Sequence, residues 1–191
     1  DHGFQGGTHM IYVVSGMFRS GTSLVMRGLK AGGMEVVHSL ERDSLNEKNT
    51  DIRSRPNPDG LYEDSDEARR LPGWPRQHDG KAVKVIVGWP MAVHEYRVAV
   101  IYRNPVEIVE SYERAFKTFW DKQTRDAWIA QYPYVIAEHN RHLHNRRDVH
   151  SVTVLHFDQF LDDHVDAFKS LQWPIDAKKA ASAIDTEMVP Q

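Results

Sequence analysis

The first candidate for chemistry is a glycine-framed loop near the start of the chain. Gly16 and Gly21, separated by four residues and followed by Thr22 and Ser23, have the frame of a phosphate-binding loop. Glycines let the backbone approach an anion closely, and the amides of the loop and of the first helical turn point towards it. Thr22 stands where nucleotide triphosphatases have lysine, so the positive charge comes from Arg19, whose guanidinium can hold a phosphate or sulfate bidentately. The alternative is a tight turn between a strand and a helix with no ligand.

The second candidate is an arginine at the end of a strand-like run. Arg103 follows the apolar run 97–102, and Ser111 lies eight residues further on, two turns into a predicted helix. Ligands of open parallel sheets bind outside the carboxyl ends of the strands, so Arg19 and Arg103 are expected on one rim. Two anion sites on one rim suit a nucleotide that is phosphorylated at two positions.

An alternation of strands and helices must position these residues. The β-branched run 11–15 predicts a strand buried on both faces, and the apolar stripe that follows it predicts a helix ending at Gly32 and Gly33. Asn104 and Pro105 are a favoured N-cap and first helical residue, and Glu107 is placed to complete a capping box. Further strands are predicted at 34–37, 82–87, 97–102 and 151–156, and further helices from 104 to about 119 and over roughly 126–143, with a kink or break at Pro133. This order predicts an α/β protein: a single-domain P-loop fold with a central parallel sheet flanked by helices.

One long segment, 38–80, does not follow this alternation. It is polar, carries charges of both signs and several prolines and glycines, and includes Tyr62 and Trp74. Such an excursion in a domain is usually functional or disordered, and the aromatic residues favour an ordered lid or substrate wall. Residues 10–191 are therefore interpreted as one domain. Residues 1–9 have no hydrophobic stretch and are predicted to be an artificial extension ahead of a natural start at Met10.

Four segments, in order along the chain, resemble motifs of the sulfotransferase superfamily that uses 3′-phosphoadenosine 5′-phosphosulfate (PAPS). Residues 15–28 resemble its 5′-phosphosulfate loop, and the spacing from Arg103 to Ser111 is similar to that of its 3′-phosphate motif. Residues 57–64 (NPDGLYED) resemble a segment common in bacterial-type members, and residues 156–161 (HFDQFL) resemble the family's late strand and turn. Each motif alone is weak, and the four in order are specific.

The resemblance implies a role for each matched residue. The 5′-phosphosulfate would be held by the loop residues Arg19, Ser20, Gly21, Thr22 and Ser23, and the 3′-phosphate by Arg103 and Ser111. The chain would transfer a sulfuryl group from PAPS to a hydroxyl or amine of a small-molecule, glycan or peptide acceptor that the sequence does not identify. No metal ion is expected in this reaction.

The sequence departs from the phenol- and steroid-modifying members of the family. Their Lys-Thr-His-x-Pro stretch carries a histidine base, whereas the matching residues 84–90 here contain no histidine, and the glycine-rich C-terminal motif is missing. The chain is closer to the bacterial and Golgi-type branches, in which a carboxylate commonly is the base. Glu41, near the end of a predicted strand, and Glu63, in the lid segment, are the candidates, with His38 as a third. Lys84 is a candidate cation for the charge on the bridging oxygen, or else a solubilising charge on a strand edge.

Composition limits the other functions. The chain has 191 residues with a net charge of −3, which disfavours nucleic acid as a partner because phosphate backbones require a basic face. It has no apolar run of the ~18 residues that a membrane span needs. The absence of cysteine excludes disulfides and makes a cytoplasmic location the expectation. The four histidines between 139 and 150 lack a clear second set of metal ligands, which disfavours a metal site.

Two other functions stay open at this point. A P-loop kinase for a small molecule is disfavoured by the missing loop lysine and by the lack of a strand that ends in a clear magnesium-binding aspartate. A sulfotransferase-like module that binds the nucleotide without catalysis is consistent with the missing histidine base.

Overall fold

Four parallel strands form the centre of the fold, in the order β2-β1-β3-β4. The computed structural model describes residues 9–38, 62–64, 66–88 and 91–184. The described ranges form an α/β domain whose all-parallel sheet is flanked by helices, so the predicted fold class is confirmed. The strands are β1 (Met10–Gly16), β2 (Ala82–Ile86), β3 (Glu95–Tyr102) and β4 (Val149–His156).

The helices begin where the sequence supplies caps. Asn104 accepts a hydrogen bond from the Val106 amide at 3.0 Å, and Asp121 accepts one from the Thr124 amide at 2.9 Å. Both caps satisfy amides that have no partner inside the first turn. The helices are α1 (Thr22–Ala31), α2 (Asp66–Arg70), α3 (Trp74–Gln77), α4 (Pro105–Phe116), α5 (Lys122–Asn145), α6 (Phe157–Asp162), α7 (His164–Ser170) and α8 (Ala177–Ser182).

The two faces of the sheet carry separate apolar cores, because successive side chains of a strand point to opposite faces. On one face Tyr12 and Val14 pack with residues of α1 and of the C-terminal helices α6 to α8. On the other face Ile11 and Val13 pack with Leu143 of α5. Complete burial of one such aliphatic side chain stabilises the fold by about 1.5–3 kcal/mol. The carboxyl edge of the sheet is therefore held between α1 on one side and α5 on the other.

Some predicted boundaries were wrong. The strand predicted at 34–37 is only an isolated bridge between Val36 and Ala82. The helix predicted to reach 119 ends at Phe116, because Lys117 adopts a left-handed conformation with φ of 52°. The helix predicted from 126 begins at Lys122 and continues through Pro133. Residues of the predicted late turn form the helix α6 instead.

The segment 38–80 is described only in part. Residues 39–61, which include the base candidate Glu41 and most of the motif at 57–64, lie outside the described residues. Tyr62 and Trp74 are almost completely buried, one in each core of the sheet. The described part of this segment is therefore packed on the domain. No helix among the described residues is long and apolar enough to cross a membrane.

Candidate functional site

The loop between β1 and α1 has a strained backbone. Arg19 has a φ of 64°, a left-handed conformation that costs a residue with a side chain on the order of 1–3 kcal/mol. Gly21 has a φ of 100°, and a Cβ atom there would lie 2.2 Å from the Phe157 ring. The Ser20 hydroxyl donates to the Met17 carbonyl oxygen at 2.7 Å, and this hydrogen bond within the loop stabilises the turn. The second glycine of the frame is thus required both by its conformation and by the approach of Phe157.

The first turn of α1 is suited to an anion. Gly21 is its N-cap and supplies no side-chain acceptor, and no acidic residue lies in that turn. The first amides of a helix have no partner inside it, and the helix dipole favours negative charge at this end. Thr22 and Ser23 therefore begin a helix whose amides can receive a phosphate or sulfate.

The two predicted anion motifs are joined by direct hydrogen bonds. Arg19 donates from Nε to Ser111 Oγ at 3.1 Å. Arg103 donates from Nη1 to the Arg19 carbonyl oxygen, also at 3.1 Å. The structure thus brings together residues from the loop after β1, the end of β3 and helix α4. Their common location agrees with the expectation that both arginines lie at the carboxyl edge of the sheet.

Arg103 is held from several sides. Its Nε donates to Glu107 Oε2 at 3.0 Å, and its guanidinium carbon lies 4.5 Å from the centre of the Phe157 ring. The contact of Glu107 described here is thus with Arg103 and not the capping box that the sequence predicts. Among the described residues, Nη2 of Arg103 has no hydrogen-bond partner, which leaves its two N–H groups for a ligand. A planar, oriented guanidinium of this kind suits a phosphate.

The electrostatics of the site favour a bound anion. Burial, together with the positive charges of Arg103 and Arg114, lowers the pKa of Arg19 to about 10. The guanidinium is still charged at neutral pH, so three cations lie near one another at the edge of the sheet. A phosphate or sulfate would offset both the desolvation and the repulsion. The residues present therefore fit an anionic group at this position.

Lys84 lies in a buried contact between β2, α1 and the lid segment. Its Nζ lies 2.7 Å from Glu63 Oε1 and donates to Ser23 Oγ at 3.1 Å. The Lys84 and Glu63 side chains are only 4% and 6% exposed, so Lys84 is not the solubilising charge considered above. The amide of Lys84 also donates to the Tyr62 carbonyl oxygen at 3.0 Å, which fixes Glu63 beside the strand. Two of the three predicted catalytic residues are therefore in contact, and the third, Glu41, lies outside the described residues.

The third base candidate lies near this pair. The exposed ring of His38 lies 5.0 Å from the ring of Tyr62, the residue before Glu63. His38 and Glu63 thus belong to one region at the β2 edge of the sheet.

An open cavity of about 360 Å³ lies beside Arg103. Tyr102 and His156, at the ends of β3 and β4, face each other there with ring centres 5.3 Å apart. Phe157, whose ring contacts the Arg103 guanidinium, also lines the cavity. Sequence reasoning assigned no residue to adenine, although the motif at 156–161 contains two of these rings. Tyr102 and His156 lie side by side because β3 pairs with β4, and this pairing cannot be predicted from the local sequence. The lining residues are Tyr102, Asn104, Pro105, His156, Phe157 and Asp158.

Tyr112 of α4 belongs to a cluster of aromatic side chains beside the loop. Tyr112 contacts Phe18 of the loop, with ring centres 5.3 Å apart, as well as Phe116 and Trp120. Trp128 of α5 completes this cluster. The cluster supports the loop from the α4 side.

The histidines of α5 do not meet as metal ligands. Within the described ranges, no three histidine or acidic residues are placed to share a metal ion. His139 instead lies 2.9 Å, through Nε2, from Ser15 Oγ at the end of β1. Sequence reasoning missed this pair because its members lie far apart in the chain.

The chain was compared with known proteins. No protein-family model matches it, and no curated protein matches it significantly. The functional assignment therefore depends on the residues and the geometry described above.

Proposed function

We propose that the protein is a sulfotransferase that transfers a sulfuryl group from PAPS to a hydroxyl or amine of an acceptor. The observation that carries this proposal is the direct linkage of the two anion motifs through Arg19, with Ser111 on its side chain and Arg103 on its carbonyl group. A nucleotide with phosphate groups on both its 5′ and 3′ positions needs two anion sites at a fixed separation. A nucleoside triphosphate needs only one run of phosphates.

The phosphosulfate end would lie on the loop and the first turn of α1. The amides from Gly21 to Ser23 and the Arg19 guanidinium would hold its oxygens. The hydroxyl and the amide of Ser20 both donate to the Met17 carbonyl oxygen, so Ser20 would contribute by holding the loop in its binding conformation. Lys84, held by Glu63 beside Ser23, supplies a second positive charge near the helix terminus.

The 3′-phosphate would lie between Arg103 and Ser111. Nη2 of Arg103 and the Ser111 hydroxyl are the donors available to it. The adenine ring would then occupy the neighbouring open cavity, because Tyr102 and His156 offer aromatic faces for stacking there.

The chemistry requires a proton acceptor and preorganised cations. The acceptor oxygen or nitrogen forms a bond to sulfur while the bond from sulfur to the 5′-phosphate oxygen breaks, and the acceptor proton passes to a base. Arg19 and Lys84 would stabilise the charge that develops on the departing phosphate oxygen. In the contact described above, Glu63 orients Lys84. Glu41 and Glu63 are both proposed as candidates for the base, and His38 is the third candidate.

The remaining parts of the proposal concern the setting. No metal ion, nucleic acid or membrane partner is part of it, and a cytoplasmic location is proposed because the cysteine-free sequence needs no oxidising compartment. The acceptor is left open as a small molecule, a glycan or a peptide.

The experiment that tests this assignment removes the 3′-phosphate partner alone. Arg103→Ala should weaken binding of 3′-phosphoadenosine 5′-phosphate by roughly 10- to 100-fold, because a charged hydrogen-bond partner contributes about 1.5–3 kcal/mol. Adenosine 5′-phosphosulfate lacks the 3′-phosphate and should lose only a few-fold, through the contact of Arg103 with the Arg19 carbonyl. Isothermal titration calorimetry measures both ligands.

Arg97→Ala is the matched control for this experiment. Arg97 lies on the same strand at its other end and donates to the Gln172 carbonyl oxygen. Its loss should change neither affinity. Equal weakening of the two ligands by Arg103→Ala would contradict the assignment of the 3′-phosphate site.

A further inference from the structure

A second cavity lies between the sheet and α5. Its volume is about 290 Å³, and the apolar part of its wall includes Val13, Val85 and Val98 from three adjacent strands together with Leu143. A cavity of ~150 Å³ with aliphatic and aromatic walls is large enough to hold benzene. This cavity therefore has room for a substituted ring or a branched aliphatic molecule.

The polar part of the wall contains one hydrogen-bonded pair. Ser15 Oγ and His139 Nε2 lie 2.9 Å apart, and both residues line the cavity. His139 lies one helical turn from Leu143 on α5, and Ser15 is the residue immediately before Gly16 of the loop. Ligand pockets typically combine apolar walls with a few placed polar groups of this kind.

The described lining carries little uncompensated charge. Arg146 donates to both carboxylate oxygens of Asp148, at 2.9 and 2.6 Å, and to the carbonyl oxygens of Met91 and Ala92. Burial, with a smaller contribution from His142, lowers the pKa of His139 to about 4, so its ring is neutral at neutral pH. An anionic ligand would find no available cation among these groups.

We propose that this cavity binds a small uncharged molecule with a mostly apolar body and a hydroxyl group that hydrogen-bonds to Ser15 Oγ of the Ser15–His139 pair. A ring nitrogen of a neutral histidine makes one hydrogen bond, and Nε2 of His139 is bonded to Ser15 Oγ. In either tautomer the serine hydroxyl keeps a donor or an acceptor available, and a ligand hydroxyl, which both donates and accepts, fits both cases. The valine side chains contact the apolar body of the molecule.

This site lies on the other face of the sheet from the contacts of Lys84. Val13 and Ser15 alternate with Val14 along β1, and Val14 belongs to the core on the α1 side. Lys84 contacts Ser23 of α1 on that same side. The cavity therefore lies next to the loop but on the opposite face of the sheet from the proposed phosphate contacts. Its occupancy does not depend on the proposed function.

The test uses phenol as the probe and benzoate as its charged counterpart. Phenol titrated at neutral pH should shift the ring resonances of His139 in an NMR spectrum of the whole chain, whereas benzoate should not. Toluene should bind to the wild-type protein at least several-fold more weakly than phenol, since it lacks the hydroxyl group. In Ser15→Ala this preference should disappear, because the hydroxyl group that bonds to phenol is removed.

Two variants fill the cavity from different sides. Val98→Phe enlarges a buried residue that lines the cavity. His142→Trp enlarges an exposed residue of α5 that also lines the cavity, and it should leave folding intact. Each should weaken phenol at least 10-fold, while Val154→Phe, at a partly exposed position on β4, should leave its affinity unchanged. Phenol binding that survives His142→Trp in a folded protein would overturn the proposal, as would equal binding of benzoate.

A further experiment distinguishes a ligand that is a sulfuryl acceptor from one that only binds. Incubation of the wild-type protein with PAPS and phenol, followed by mass spectrometry, tells whether the bound hydroxyl compound is an acceptor. Phenyl sulfate that is formed by the wild-type protein but not by His142→Trp identifies the bound compound as a sulfuryl acceptor, and binding without product identifies a ligand that is not an acceptor. If phenol does not bind to the wild-type protein, the proposal is wrong.

Discussion

Arg19 Nε lies 3.1 Å from Ser111 Oγ, so a hydrogen bond joins the strained loop after β1 to helix α4. Ser111 is itself almost completely buried, which makes its hydroxyl a fixed acceptor for the guanidinium. The unfavourable φ of Arg19 is offset in part by this bond and by the bond that its carbonyl oxygen accepts from Arg103. The two proposed phosphate sites are therefore joined by hydrogen bonds that involve Arg19.

Ser111→Ala should weaken both the fold and the nucleotide site. The loss of a hydrogen bond to a charged group should lower the free energy of unfolding by about 1.5 kcal/mol, measured by chemical denaturation. Affinity for 3′-phosphoadenosine 5′-phosphate should fall roughly 10-fold, because one donor to the 3′-phosphate is lost. Ser182→Ala is the control, since within the described residues its hydroxyl donates to its own helix, at the Lys179 carbonyl oxygen. Unchanged affinity in Ser111→Ala would remove Ser111 from the site.

Lys84→Met should be much more destabilising than Lys81→Met, although both lysines belong to ion pairs near one edge of the sheet. Lys84 and Glu63 are buried, so removal of the lysine leaves a buried carboxylate and should cost about 3–5 kcal/mol. The Lys81 pair with Glu35 is largely exposed on the glutamate side and should contribute roughly 0–1 kcal/mol. Urea denaturation of the two variants measures the difference.

A second substitution checks the origin of that cost. Glu63→Gln combined with Lys84→Met should recover part of the stability, because no charge is then buried alone. A double variant whose loss equals the sum of the single losses would show that Glu63 and Lys84 do not act as a pair.

Stability should decrease as the pH falls from about 6.5 towards 4, in part because of His139. Its pKa in the folded protein is about 4, below the ordinary 6.5. Between these values the unfolded chain binds a proton at this position and the folded chain does not, so protons favour unfolding. The contribution is on the order of 2 kcal/mol, allowing for the partial exposure of the ring.

His139→Gln isolates this contribution from those of other histidines. Burial also lowers the pKa of His78 and of His164, and both remain in the variant. The decrease in stability between pH 7 and pH 4.5 should therefore be smaller in His139→Gln than in the wild-type protein. His144→Gln, an exposed position on the same helix, controls for the loss of an imidazole. Identical pH profiles for wild type and His139→Gln would contradict the assigned titration.

The sequence predicts the framework of the site well because the framework follows from local patterns. The strand before the loop, the capped start of α4 and the arrival of Arg19 and Arg103 at one edge depend on hydrophobic runs, on Asn104 and on the geometry of parallel sheets. The boundaries near 117–122 were less accurate, because a left-handed Lys117 ends the helix without glycine.

The contacts that shape the interior of the site are non-local and were not predicted. Lys84 is buried only because Glu63 arrives from the lid segment, where Tyr62 adopts a φ of 57°. Ser15 and His139 are 124 residues apart, and the histidine was interpreted only as part of a histidine-rich stretch. Neither pairing leaves a trace in periodicity or in residue spacing.

The measurement that tests the central claim most directly is nucleotide-dependent stabilisation of the wild-type protein. At a hundredfold excess over its dissociation constant, 3′-phosphoadenosine 5′-phosphate without magnesium should raise the free energy of unfolding by ~2.7 kcal/mol. At the same concentration, ATP with magnesium should raise it distinctly less, since it offers no 3′-phosphate to Arg103 and Ser111. Stabilisation by magnesium-ATP that equals or exceeds that by the bisphosphate would contradict the proposed function and favour a P-loop kinase.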